Sequence, residues 1–194
     1  MRVRLLLFSH AATPAQRAGR FPADEALDAR GRAETEAWLA QQSAAPWQAA
    51  GTQIYVSPAQ IAQDTAALLA PAPQVIAALA DQDYGRWQGQ TLANVAAADA
   101  QALTAWMQYA DAPAGGAESF AQLCARVGEW MDEVAHAASS PQSLIGISHA
   151  PVLRAAIIHA AGLPHTAFGR IEIPPLSRVE LRCFNGRWAW WPAQ

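Results

Sequence analysis

The chain has no lysine: all 13 of its basic residues are arginine. Set against 16 acidic residues they leave a net charge of −3, and no basic run is present, which argues against a nucleic-acid partner. Cysteine is almost as scarce. Cys124 and Cys183 stand far apart, so no disulfide framework organises the chain, and two free thiols suit a reducing compartment. No apolar run approaches the roughly 20 residues that span a bilayer, and no basic-then-apolar leader is evident, so a cytoplasmic protein with no membrane partner is expected. Linkers, low-complexity tracts and long repeats are also missing, and 194 residues suit a single domain over 1–194. Charged residues make up only 15%, yet apolar ones reach 52%, so the shortage of charge signals a packed core rather than disorder.

What is present is organised around Val3–Thr13, VRLLLFSHAAT. Val3 to Phe8, broken only by Arg4, reads as a buried strand, and it stops at Ser9-His10-Ala11 before a Thr13-Pro14 turn. Ser143–Ala150, SLIGISHA, repeats the arrangement late in the chain. Ligands of open α/β sheets sit outside the carboxyl ends of the strands, so two strands ending in Ser-His-Ala predict two imidazoles in one pocket. A lone histidine after a strand is more often structural than catalytic; the duplicated context is what raises both.

Between these strands the elements alternate. Pro14–Asp28 reads as a loop over the sheet and carries Arg17 and Arg20. A helix is expected near Ala33–Gln42 with Trp38 and Leu39 inward, then a strand at Gln53–Val56 and a Ser57-Pro58 start to a helix over Gln60–Leu69. Pro71 and Pro73 end that helix, and Gln74–Leu79 is a short strand candidate. Asp81–Gly89 reads as a loop, Thr91–Ala110 and Ser119–Ala137 as helices split by a turn at Asp111–Gly116. Strand Ser143–Ser148 leads into helix Pro151–Ala161, and Gly169–Trp191 holds two strand-like runs joined at Asn185-Gly186, a hairpin signal. The eight tryptophans are expected in core and edge packing, with a partner surface as the sharper alternative. The pattern predicts a three-layer α/β/α sandwich with a mixed, mostly parallel sheet.

In order, these segments resemble the histidine phosphatase superfamily, in its phosphoglycerate mutase-like branch. LLLFSHAAT stands where the family has a strand ending Arg-His-Gly-Glu-Thr, and Arg20-Phe21 with Ala26–Gly31 is similar to its Arg-Phe and Pro-Leu-Thr-x-x-Gly stretch. Val56–Ala66 resembles Ser-Ser-Pro-Leu-x-Arg-Ala-x-Gln-Thr-Ala. LADQDYGRWQG is similar to Leu-x-Glu-x-Asp-Phe-Gly-x-Trp-Glu-Gly, and Gly115–Phe120 to Gly-Gly-Glu-Ser-Phe with one residue inserted. SHAPVLRA resembles Ser-His-Gly-Gly-Val-Ile-Arg-Ala. The resemblance implies that His10 attacks phosphorus, that His149 binds the phosphoryl oxygens, and that Asp81, where the family usually has Glu, protonates the leaving group. It implies no cofactor and no resident metal, and a small anionic or phosphorylated ligand, with Ser9, Arg17, Arg20 and Ser148 as substrate-binding residues.

Two departures stand out. The family's arginine before the nucleophile is Ser9 here, and the arginine of its Ser-Pro helix is Ile61. Phosphoryl transfer is catalysed mainly by electrostatic stabilisation of charge on the equatorial oxygens, and losing one preorganised donor costs roughly 3 kcal/mol, about a hundredfold. Arg17, Arg20, Arg86 and Arg154 are the available substitutes. The expectation is a degenerate or very weakly active protein that binds a small anionic ligand in the former phosphate pocket. The alternatives are a working phosphomonoesterase acting through phospho-His10, and a metal site built from His10, His149 and Asp81.

Overall fold

The computed structural model describes residues 2–42, 46–69 and 72–191. Six strands form one sheet in the order β3-β2-β4-β1-β5-β6: β1 (Arg2–Ser9), β2 (Gln53–Val56), β3 (Gln74–Val75), β4 (Gln142–Ser148), β5 (Arg178–Phe184) and β6 (Arg187–Trp191). The first four are parallel, and β5 and β6 join antiparallel on the β1 side. This is the mixed, mostly parallel α/β sandwich expected.

The period-2 alternation of β1 divides the core. Val3, Leu5 and Leu7 face one layer, where they meet α6 (Phe120–Ala137) and α7 (Ala150–Ala161); Leu6 and Phe8 face α2 (Ala29–Ala40) and α3 (Gln60–Leu69) on the other. Arg4, the one polar interruption of β1, points to a carboxylate on the next strand. Its guanidinium donates to both oxygens of Glu180 on β5 at 3.0 and 2.9 Å, so the interruption is paired rather than buried alone.

Several local expectations change. α2 starts at Ala29, earlier than expected, because the Asp28 side chain accepts from the Gly31 amide and caps it. Within the Pro14–Asp28 loop, a Thr13 capping box makes a single turn, α1 (Pro14–Arg17). The Gln74–Leu79 strand shrinks to Gln74–Val75 and then turns at Ala77–Leu79. Thr91–Ala110 is two helices, α4 (Leu92–Ala98) and α5 (Ala100–Gln108), broken at Asp99, whose backbone leaves helical values and whose side chain caps α5. The hairpin begins at Arg178 rather than near Gly169, since His165–Arg170 forms a 3₁₀ turn. Pro73 follows α3, while Pro71, read as the helix stop, lies outside the described residues.

A third, smaller core sits over the carboxyl end of the sheet. Phe21, Tyr84, Trp87, Val95, Leu103 and Ala114 pack together there, with Trp106 against them. It fixes the loop after Ala80. Gly115 is required in this cap: its φ is +55°, and a Cβ would lie 2.0 Å from the Tyr84 carbonyl oxygen. The tryptophans divide accordingly. Trp38, Trp47, Trp87, Trp106, Trp130 and Trp188 pack into the cores, and Trp190 and Trp191 lie on the edge strand, where Arg182 stacks over Trp191 at 4.0 Å.

Candidate active site

Ser9 and Ser148 are register partners at the ends of adjacent parallel strands β1 and β4, so the next residues, His10 and His149, emerge side by side. The His10 amide donates to the Ser148 carbonyl at 2.9 Å, and the ring centroids are 4.9 Å apart at 66°. Each ring is held by one nitrogen. His10 Nδ1 lies 2.7 Å from the Ala11 carbonyl oxygen, which only accepts, so Nδ1 carries the proton and Nε2 keeps its lone pair. His149 Nε2 is 2.8 Å from the Ser57 hydroxyl, a group that both donates and accepts, so this contact orients the ring without assigning its proton. His149 Nδ1 is buried with no hydrogen-bond partner; the nearest carboxylate oxygen, Asp81 Oδ2, lies at 3.4 Å without alignment for a bond.

Burial pushes both imidazoles down, His10 to about 4, with the neighbouring His149 as the second cause, and His149 to about 3, with Arg126 as the second. Both rings are therefore neutral at neutral pH. Burial moves the Asp81 carboxyl the other way, up to about 6, partly offset by His10 and by the Gln82 amide. Asp81 is presented by a braced loop. Arg126 of α6 donates to the carbonyls of Ala78, Ala80 and Asp81 at 2.8, 3.1 and 3.3 Å and pairs with Glu118 at 2.9 Å. This trio has the parts of an acid–nucleophile pair: a lone pair on His10 Nε2, a second neutral imidazole at His149, and a carboxyl that protonates near pH 6.

His10, His149 and Asp81 share a cavity of about 320 Å³. Its other charged walls are Asp24, Glu25 and Asp83, and among the described residues no arginine lines it. Ile61, at the position of the family's helix arginine, is on the wall and buried. The four expected substrate-binding residues lie elsewhere. Ser9 is buried and bound to the segment after Pro174, donating to the Pro174 carbonyl at 2.8 Å and accepting from the Ser177 amide at 2.9 Å. Ser148 is fully buried and donates to the Leu79 carbonyl at 2.7 Å. Arg17 pairs with Asp28 and donates to the Ala12 carbonyl. Arg20 is exposed, in a backbone bridge to Thr91. Like Arg17, two other substitutes are committed: Arg86 pairs with Asp99, and Arg154 donates to the Ile171 carbonyl at 2.8 Å. A metal site from the trio is not formed either. Among the described residues no three histidine, cysteine or acidic side chains are placed to hold an ion, and two of the four ring nitrogens are already engaged.

Sequence reasoning missed Ser57 and Arg126, which orient His149 and Asp81, and the acidic walls Asp24, Glu25 and Asp83. Ser57 stands inside the Ser-Pro motif, which was a usable signal. Arg126 is one charge in a helix sequence and gives none.

The family model for the histidine phosphatase superfamily (branch 1) matches residues 5–191. The chain belongs to that family. This histidine phosphatase-like chain matches no curated protein. Among solved structures it is similar to the native mycobacterial glucosyl-3-phosphoglycerate phosphatase, at 24% identity over 98% of this chain and 97% of that one, with a TM-score of 0.82. It is similar to the alpha-ribazole phosphatase from Shigella flexneri at 20% identity over 96% and 94%, TM-score 0.82. A mutant phosphoserine phosphatase from Entamoeba histolytica, in complex with phosphoserine, matches at 15% identity over 97% and 94%, TM-score 0.81. At these identities the likeness is one of fold. Among the described residues of this histidine phosphatase-like chain, no helix is long and apolar enough to cross a membrane.

Proposed function

We propose that this protein is a degenerate or very weakly active histidine phosphatase whose cavity serves binding rather than turnover. The observation that carries the reading is the charge of the cavity: four carboxylates, two neutral imidazoles and no guanidinium. A transferring phosphoryl group spreads negative charge over three oxygens, and its stabilisation comes from preorganised cations and donors. Here it would meet two neutral imidazoles beside the Asp81 carboxyl. The same charge balance counts against the small anionic ligand expected from the family pocket. Buried free thiols at Cys124 and Cys183 support a reducing, cytoplasmic setting.

A second reading keeps one observation in its favour. His10 retains the tautomer of a nucleophile and Asp81 a carboxyl near 6, the pair a phosphomonoesterase working through phospho-His10 requires. Turnover of 4-nitrophenyl phosphate at neutral pH, by the protein and by His10→Ala, separates the two. The binding reading expects rates far below the ~10 per second median of enzymes. A rate near that median, abolished in His10→Ala, overturns it in favour of the phosphatase.

A further inference from the structure

We propose that the exposed edge of the sheet joins a second copy of this chain, β6 pairing antiparallel with β6 about a twofold axis at Ala189.

The edge is open in a definite way. β6 ends the sheet, and β5 is its neighbour there. Asn185 and Gly186, at φ +51° and +73°, make a two-residue turn, so Phe184 and Arg187 on either side form a hydrogen-bonded pair. Alternation along the register then turns the main-chain groups of Arg187, Ala189 and Trp191 toward β5 and those of Trp188 and Trp190 outward. Among the described residues no backbone group partners those outward ones. Natural edge strands are commonly blunted by charge, proline or a bulge, and Trp188–Trp190 carries none of these. The opposite edge, β3, is only Gln74–Val75, too short to extend an assembly, so pairing through β6 closes at a dimer.

The strand is also chemically complementary to itself. With Ala189 on the axis, Arg187-Trp188-Ala189-Trp190-Trp191 sets Trp188 against Trp190 of the second copy, and each such pair exchanges both main-chain hydrogen bonds. Aromatic residues directly opposite one another stabilise a strand pair. On the other face Arg187 meets Trp191 of the second copy, the kind of contact Arg182 already makes with Trp191 within the chain at 4.0 Å. Arg187 is exposed and has no ion pair among the described residues, so its charge is free for that ring. The residue that faces its own copy is Ala189, small enough for the closer, non-hydrogen-bonded spacing of ~4.5 Å. A one-residue shift would oppose inward and outward main-chain groups, and an axis at Trp188 or Trp190 would halve the hydrogen bonds within β6.

Size sets the strength. Trp190 and Trp191 are 54% and 39% exposed, which at ~150–250 Å² per tryptophan offers ~140–230 Å² per copy. A standard interface buries ~800 Å² per partner, so the pairing is a weak, reversible one.

Sedimentation velocity of the intact protein, over a concentration series reaching the high micromolar range, tests this. A monomer–dimer equilibrium that reverses on dilution is expected. Ala189→Glu adds only an exposed side chain to the monomer but sets two carboxylates against each other on the axis, and should weaken the dimer ten-fold or more. Thermal melting checks that this variant folds. Ala189→Cys, oxidised in air, should give a covalent dimer on a non-reducing gel, because a Cα spacing of ~4.5 Å suits a disulfide. Phe184→Cys should not, since its two copies would stand roughly 20 Å apart. The wild type, whose Cys124 and Cys183 are buried, is the gel control. A monomer at every concentration, a dimer that folded Ala189→Glu leaves intact, or Phe184→Cys linking as readily as Ala189→Cys would each overturn the proposal. A monomer that instead co-sediments with phosphatidylglycerol vesicles gives the edge to a membrane surface and overturns it too.

Discussion

Restoring a phosphate-binding arginine is expected to work at Ile61 and fail at Ser9, although the sequence makes the two positions look equivalent. Ile61 lines the cavity at 5% exposure. Replacing it with arginine removes about 1.5–3 kcal/mol of apolar burial, part of which the arginine methylenes recover by lying along the same wall. The new guanidinium enters a cavity already holding Asp24 and Asp81 and so is not a buried unpaired charge. A net loss of ~1–2 kcal/mol in stability is the expected cost. A charge-assisted hydrogen bond to a phosphoryl oxygen contributes ~1.5–3 kcal/mol, about a ten- to hundredfold gain in phosphate or vanadate affinity. Ser9 is different because its hydroxyl is already used, donating to Pro174 and accepting from Ser177 beneath the sheet end. Arginine there loses two hydrogen bonds worth ~1 kcal/mol each and overpacks a site costing ~1–3 more. A total near 3–5 kcal/mol is a large share of a typical 5–15 kcal/mol stability. Vanadate calorimetry and urea unfolding of the two single variants read both quantities. A folded Ile61→Arg with no gain in vanadate affinity, or a Ser9→Arg as stable as the parent, would refute the reasoning.

Any residual phosphatase turnover should peak near pH ~5, since it needs His10 neutral, above about 4, and Asp81 protonated, below about 6; a rate still climbing at pH 8 contradicts the assignment of both groups. Stability should fall as pH drops from about 6.5 toward 4, because the unfolded histidines take up protons that buried His10 and His149 refuse. Asp81 acts oppositely, its raised folded value favouring the folded state over the same fall, so two histidines against one carboxyl leave a net acid loss of a few kcal/mol, on the order of 5 at most. Urea midpoints measured across that range, flat in the wild type, would show the prediction to be wrong. Gly115→Ala should cost ~3 kcal/mol or more, since its Cβ would collide with the Tyr84 carbonyl at a positive φ, and the cap around Trp87 should lose near-ultraviolet circular dichroism. Arg126→Ala should destabilise by ~2–4 kcal/mol through five lost hydrogen bonds and raise amide exchange at Ala80–Asp83; unchanged exchange there would deny Arg126 its bracing role.

Much of the fold was legible because its signals are local. A short apolar run such as Val3–Phe8 states its own secondary structure, and Asn185-Gly186 states its own turn, which the structure places between β5 and β6. The two Ser-His-Ala ends also announced themselves, since each is one strand followed by one imidazole. Asp99 was less readable: it breaks a helical pattern by capping the next helix, a choice made by competition between backbone and side chain.

What the sequence determined by itself, then, is the order of strands and helices and the identity of the chemically capable side chains. Tertiary structure decided where each of those side chains points and what charge it meets. Ser9 adjoins His10 in sequence, yet strand alternation turns it away to the Pro174 segment, while Asp24 and Asp83, far apart in the chain, close over the same cavity. The pairing of Arg17, Arg86 and Arg154 with other acceptors was equally invisible, because hydrogen bonds between distant residues are settled by packing and leave no local pattern. The net charge of the chain is a sum over residues; the sign of the cavity is a property of three-dimensional arrangement, and only the fold sets it.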